Sequence, residues 1–369
     1  MKTISLCMIV KNESHIIERC LNSVKPLIDF VLIQDTGSSD DTINTINNWL
    51  TKNNIDGVVF SEEWKNFAHN RSLSLEKLRN FENIDYALMV DADEVLQYDD
   101  SFDIIDFKNN MDVDLYDITT KMGGISYVRP QLSSNKKNFR YEGVIHEFLT
   151  GDVETRKTVN GFHNLPIQDS NRNQSGNKFE GDVIVLRKAL EDTEDPWFKS
   201  RYTFYLAQTL RDLQHREESL KYYLQRSEMG FWNEEVYISY LNAASLMKEL
   251  NYSDSEIIFT YMKGHESCPH RGECIHGAIH YCRIHGLYQL GYILGKQALT
   301  ITKPDVALFS EDWVYDYGIL DEFSIVSFYS SYFQESKQTC ERLLTENKIP
   351  HHYYERVKGN LQFAVDRLS

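Results

Sequence analysis

Four short apolar runs, each closed by polar or acidic residues and separated by stretches of helical spacing, constrain the N-terminal part of the chain most strongly. Ile4-Ser5-Leu6-Cys7-Met8-Ile9-Val10 reads as a buried strand. Asn12, Glu13 and Ser14 suit a helix start, and Ile16, Ile17, Leu21 and Val24 follow at helical spacing. Phe30–Ile33, Gly57–Phe60 and Tyr86–Val90 are the other strands. Helical patterns lie between them, at Ile43, Ile46, Trp49 and Leu50, and over Arg71–Leu78. Such alternation predicts an α/β fold with a mostly parallel sheet covered on both faces. Ligands of these sheets sit beyond the carboxyl ends of the strands. Asn12, Asp35 and Asp91 all follow strand ends and are expected to meet at one edge.

The rest divides by composition. Residues 112 to 161 are β-rich and irregular. Gln168–Lys178 (QDSNRNQSGNK) is polar and reads as a linker. This gives a first domain over 1–167, a linker over 168–178 and a helical domain over 179–369. In the last, Tyr202, Tyr205, Leu206 and Leu210 share a face. Similar sets recur at Tyr237, Tyr240, Leu241 and Ala244, and at Ile279, Cys282 and Ile284. A recurrence of about 35 residues is that of stacked helix pairs of the tetratricopeptide kind. Phe323–Leu368 is expected to cap the array, and the array to offer a face for a homodimer or an acceptor.

The formal net charge of -16 repels phosphate backbones and argues against nucleic acid as a partner. A nucleotide remains compatible if a divalent cation inverts the local field. No apolar run approaches the ~20 residues of a membrane span. The six scattered Cys do not form a disulfide framework, and a cytoplasmic, reducing location is expected.

Asp91-Ala92-Asp93-Glu94 places three carboxylates in four residues directly after an apolar strand. Like charges so close repel, and a cation relieves the repulsion. Mg²⁺ or Mn²⁺ takes one or two carboxylates and completes its shell with substrate phosphate oxygens. A bare D-x-D is more often a solvated acidic turn; the strand before it and the second acidic turn at Asp35 shift that balance. In Asp35-Thr36-Gly37-Ser38-Ser39-Asp40-Asp41-Thr42, helix capping accounts for Ser39 and Asp40 but does not need Asp35. Asp35 is able to accept the imide N–H of a uracil. Arg71, closing Asn66-Phe67-Ala68-His69-Asn70-Arg71, has the donor fork that suits a diphosphate, although a surface Arg in a first helical turn is the simpler reading.

In this order and spacing, Ser5–Glu13, Asp35–Thr42, Asn66–Arg71 and Asp91–Glu94 resemble the family 2 glycosyltransferases of GT-A fold. The nearer likeness is to the branch with C-terminal tetratricopeptide-like repeats, close to the peptide S-glycosyltransferases. Tyr205–Gln208, Cys268–Glu273 and Glu355–Asn360 look like helical landmarks of that branch. The resemblance implies that Val10, Asn12, Glu13, Asp35, Gly37 and Ser38 hold the uridine, and that Asp91 and Ala92 lie near the ribose and metal. It places Arg71 at the diphosphate and Asp93 on the metal. Val10-Lys11-Asn12 replaces the family's commoner Pro-x-Tyr-Asn, which removes an aromatic for base stacking. Gly143-Val144-Ile145-His146-Glu147 also looks like a motif of the branch, with His146 as a further metal ligand and Glu147 as general base. A strand whose His and Glu merely hydrogen-bond a loop is the competing reading, and Glu142, Asp117 and His163 are rivals.

The implied activity is metal-dependent, inverting transfer of a hexose from a UDP-sugar, UDP-glucose or UDP-N-acetylglucosamine, to a protein, peptide or glycan. The alternative is a repeat scaffold whose first domain binds a nucleotide sugar without turnover. The Cys/His tract from His265 to His285 lacks the tight pair spacing of zinc sites, and repeat packing is expected there.

Overall fold

The computed structural model describes residues 1–123, 125–174, 176–305 and 307–369. Two compact units divide the chain: Met1–Gly123 with Tyr127–Asp192, and Gly124–Ser126 with Thr193–Ser369. The stretch expected to be a linker therefore belongs to the first unit, as does the helix after it.

The first unit opens β1 (Ile4–Val10), α1 (Ile17–Val24), β2 (Phe30–Asp35), α2 (Thr42–Asn53), β3 (Asp56–Ser61), α3 (Phe67–Leu78) and β4 (Tyr86–Met89). The four strands lie parallel in the order β3-β2-β1-β4. β1, β2 and β4 are almost continuously apolar because both faces are covered. Leu6, Met8, Ile33 and Leu88 join α1 and α2 in one core, where Ile17, Cys20, Leu21 and Val24 form the inward stripe of α1. Cys7, Leu32, Ala87 and Met89 face the other way, onto Leu75 and Leu78 of α3.

Beyond β4 the sheet departs from the parallel pattern. The elements are β5 (Glu94–Tyr98), α4 (Ile104–Asn109), β6 (Leu115–Met122), β7 (Ile125–Ser134), β8 (Arg140–Glu142), β9 (Phe148–Thr150), β10 (Arg156–Thr158), β11 (Phe162–Pro166), α5 (Asn171–Gln174) and α6 (Lys178–Asp192). The sheet continues β4-β7-β6-β11-β5, with β7 antiparallel to β4 and β11 antiparallel to β5. The result is a mixed, mostly parallel α/β sheet.

The second unit is helical: α7 (Pro196–Asp212), α8 (Arg216–Ser227), α9 (Asn233–Glu249), α10 (Asp254–Ser267), α11 (Glu273–Ile284), α12 (Tyr288–Ala298), α13 (Ile319–Tyr329), α14 (Phe333–Glu346) and α15 (Tyr354–Asp366). Each helix packs on the next in sequence, as stacked helix pairs do. Tyr202, Leu206, Leu210, Tyr237, Tyr240, Ala244, Ile279 and Cys282 are buried as the periodicity implies; Ile284, at the end of α11, is instead exposed. Of the Cys/His tract, Cys268, Cys274 and Cys282 are free and buried, and His280 Nδ1 lies 2.9 Å from Glu322 Oε1. No helix among the described residues is long and apolar enough to cross a membrane.

A buried ionic cluster fixes the first helix pairs. Glu235 of α9 receives the Arg226 guanidinium at 3.0 Å and Arg201 at 3.3 Å. Arg226 is fully buried and also donates to the carbonyl of Gly230 at 3.0 Å. Removing Glu235 takes from the fully buried Arg226 guanidinium the carboxylate it pairs with. Glu235→Ala is expected to lower stability by about 3–5 kcal/mol in urea titration; a loss under about 1 kcal/mol would mean that water already neutralises the cluster.

Candidate functional site

The parallel strands bring the acidic turns to one edge. Val10 is registered with Asp35, and Cys7 with Met89, so the residues after β1, β2 and β4 emerge side by side. The first two turns are laced together. Asn12 adopts φ +59°, which Asn tolerates. Its N–H donates to Ser38 Oγ at 2.9 Å, and its Oδ1 accepts the Ser39 N–H at 2.7 Å. The Val10 carbonyl accepts the Thr36 N–H at 2.9 Å. The Glu13 N–H donates to Thr42 Oγ1 at 2.8 Å, and that hydroxyl donates to Asp40 at 2.5 Å.

Asp35 is only 2% exposed. Its carboxylate accepts the N–H of Gly37 at 3.0 Å and of Ser38 at 3.1 Å, an Asx turn that Gly37 closes at φ +102°. The carboxylate expected to read a base therefore shapes the turn, and Val10 likewise offers a carbonyl already engaged by Thr36.

Arg71 sits between two loops. Asn66 starts α3 by accepting the His69 N–H at 2.8 Å, and Asn70 ties back to Lys65 N–H at 3.0 Å and the Glu63 carbonyl at 3.1 Å. This fixes the turn from which the buried Arg71 extends. Its Nη2 donates to Asp91 Oδ1 at 2.6 Å, and its Nε lies 2.7 Å from Glu147 Oε1, an ion pair not aligned as a hydrogen bond. The guanidinium also lies over the Tyr141 ring, 5.7 Å from its centre. The residue expected at a diphosphate is the counter-charge of two carboxylates here, and one of them is Glu147, the expected base. His146 is exposed, at φ +50°, in the loop between β8 and β9.

The D-x-D turn folds on its own backbone. Glu94 is buried, accepts the Asp91 N–H at 3.1 Å and pairs with Arg129, while Gln131 Nε2 donates to the Met89 carbonyl at 3.1 Å. Ala92 packs into the core. Asp93 is left at the half-buried rim, where its Oδ2 accepts Asn173 Nδ2 at 3.0 Å. Among the described residues, no three of His, Cys, Asp and Glu form a ready metal cage. A hard cation that keeps its own waters and a diphosphate needs only one or two carboxylates. Asp93 fits that requirement; Asp91, paired with Arg71, and exposed His146 do so less well. Of the rivals, Asp117 is gripped by Arg156 through two bonds of 2.6 Å, and Glu142 pairs with Arg140 at 2.5 Å.

Composition hid one part of the edge. The stretch read as a linker runs back across it. Ile167 N–H donates to the Asp93 carbonyl at 2.8 Å, Asn171 N–H donates to Glu13 Oε2 at 3.2 Å, and Asp169 grips Arg19 at 2.6 and 2.7 Å. Only the Asn and Asp content hinted at such ties.

No family model matches the chain. An uncharacterized glycosyltransferase of Rickettsia felis is 25% identical over 247 residues, covering 63% of this chain and 77% of that protein. This chain is a relative of glycosyltransferases. The prophage-derived glycosyltransferase SunS of Bacillus subtilis is 24% identical over 234 residues, 60% of this chain and 52% of SunS. The match thus spans about half the length of SunS. Against the crystal structure of S. aureus TarS 1–349 with UDP-GlcNAc the identity is 13% and the TM-score 0.36, with 79% of this chain and 92% of that one covered; so slight a likeness carries no argument.

Glu13 is 7% exposed. Burial pushes its carboxyl up from 4.5 to about 7, with the Asp93 charge adding to the rise and the Asn171 N–H opposing it. The stability this group contributes is complete below pH 4.5 and is lost as the pH rises through about 7. Glu13→Gln keeps an acceptor for Asn171 and removes the ionisation. Denaturant titrations should find the variant more stable than the parent at pH 8, by about 1–3 kcal/mol, and equal to it near pH 4. A constant difference across that range would contradict the buried-carboxyl assignment.

Proposed function

We propose that the first unit is a glycosyltransferase domain that moves a hexose from a UDP-sugar, UDP-glucose or UDP-N-acetylglucosamine, with Mn²⁺ or Mg²⁺. One observation carries the reading. Parallel strands deliver the Asn12–Ser38 turns and the Asp91–Glu94 turn to a single edge, and only Asp93 of the D-x-D pair is left at the rim without a guanidinium partner among the described residues. The sequence relatives named as glycosyltransferases support the same reading.

In this proposal the backbone of Asn12 and the Gly37–Ser38 turn flanks the nucleoside, and Asp35 holds that turn in shape. Asp93 would hold the cation, which when bound neutralises charge on the leaving diphosphate. Arg71 keeps Asp91 and the Glu147 loop in place. Glu147, paired with Arg71, would be the group that takes the acceptor's proton. Inversion at the anomeric carbon is part of the proposal on family likeness. The helical unit would recruit a protein, peptide or glycan acceptor, or a second copy of the chain.

The test is release of UDP from UDP-glucose and UDP-N-acetylglucosamine with Mn²⁺. The parent should turn one of them over, and Asp93→Ala should lower the rate by about 100-fold or more while its circular dichroism is unchanged. Undiminished turnover by that variant would remove Asp93 from the mechanism. Binding of UDP-sugar without any release of UDP would leave a scaffold.

A further inference from the structure

The segment Asp169–Asn173, with Lys178 at the start of α6, occupies the rim that the donor site needs. Asn173 is oriented from both ends: Lys178 Nζ donates to its Oδ1 at 2.6 Å, so its amide nitrogen faces Asp93, 3.0 Å from Oδ2. A positive partial charge therefore stands on the oxygen where a cation would bind. The Asn171 N–H does the same for Glu13 at 3.2 Å, and Asp169 anchors the segment to Arg19 of α1.

Apart from Arg172, whose guanidinium lies over the Phe67 ring 4.9 Å from its centre and pairs with Asp182, what holds this segment is polar. The single turn α5 buries no residue, and Ile167, just before it, is exposed. A segment with no buried apolar side chain opens at low cost. Few ties of this kind resist a divalent cation carrying a diphosphate, which offers Asp93 a full charge in place of a partial one.

We propose that Asp169–Asn173 is an autoinhibitory strap: it masks Asp93 and Glu13 in the empty protein and is displaced when a divalent cation and a nucleoside diphosphate arrive. The inference rests on the donor-site reading given above. Binding of the ligand is linked to opening, so the affinity of the closed protein is reduced by the fraction that is open, and loosening the strap raises it.

Calorimetry with UDP in the presence of Mn²⁺ tests this on the full chain and on two variants outside the proposed donor contacts, Asn173→Ala and Asp169→Asn. Each is expected to bind UDP about 3- to 10-fold more tightly than the parent, the worth of a lost hydrogen bond or ion pair. Hydrogen exchange on the unmodified protein provides a check that needs no variant: the Asn171 amide should be protected alone and exchange faster with Mn²⁺ and UDP. Equal or weaker binding by both variants, or slower exchange at Asn171 with ligand, overturns the strap and leaves the donor site standing. If neither parent nor variants take up UDP, the donor-site reading fails and the strap with it.

Discussion

Carboxylates gathered at the carboxyl edge of a buried sheet must be given a counter-charge, a hydrogen bond or a proton, and the first unit uses all three. Arg71 serves Asp91 and Glu147, and Arg129 serves Glu94. Backbone N–H groups serve Asp35. Burial pushes Glu13 toward the protonated form. Removing a guanidinium from such a pair uncovers a charge that water cannot easily reach. The loops of this edge are thus fixed by electrostatics, while the strands beneath are fixed by apolar burial. Asp93 is the carboxylate that this scheme serves least, with an amide rather than a cation as its partner. That asymmetry within Asp91-Ala92-Asp93 is what gives the turn a chemical use.

The strands and their order of exit could be read from the sequence, because period and burial act within a few residues. Ile4–Val10 and Tyr86–Met89 are apolar on both faces, and their alternation with helical segments fits a covered parallel sheet. The antiparallel half was not legible: β5, β7 and β11 are joined by long-range register, and short mixed segments do not announce their partners. Site residues divided along the same line. Asn12, Asp35 and Asp91 are brought together by strand register alone. The roles of Arg71 and Glu147 depended on the loop between β8 and β9, far downstream in the chain, reaching back to α3. No local pattern encodes that pairing.

The polar stretch after β11 is held without contributing to a core. Low hydrophobicity predicts a segment that does not join a core, and Asp169–Asn173 indeed buries no apolar side chain. It is ordered by ion pairing and hydrogen bonds to groups at the sheet edge. Composition reports how firmly a segment is held, not where it lies. The helical unit shows the reverse case: its repeat period was visible, while its buried clusters, such as Glu235 with Arg201 and Arg226, arise only when successive pairs stack.

At the centre of this account the rim carboxylate Asp93 grips a cation, which in turn grips a diphosphate. Electron paramagnetic resonance of Mn²⁺ addresses it without reference to turnover. With UDP present, adding the protein should deplete the six-line signal of free Mn²⁺ beyond what UDP alone removes, and Asp93→Asn should abolish that extra depletion. A signal that ignores the protein, or a variant that depletes it as the parent does, would contradict the account.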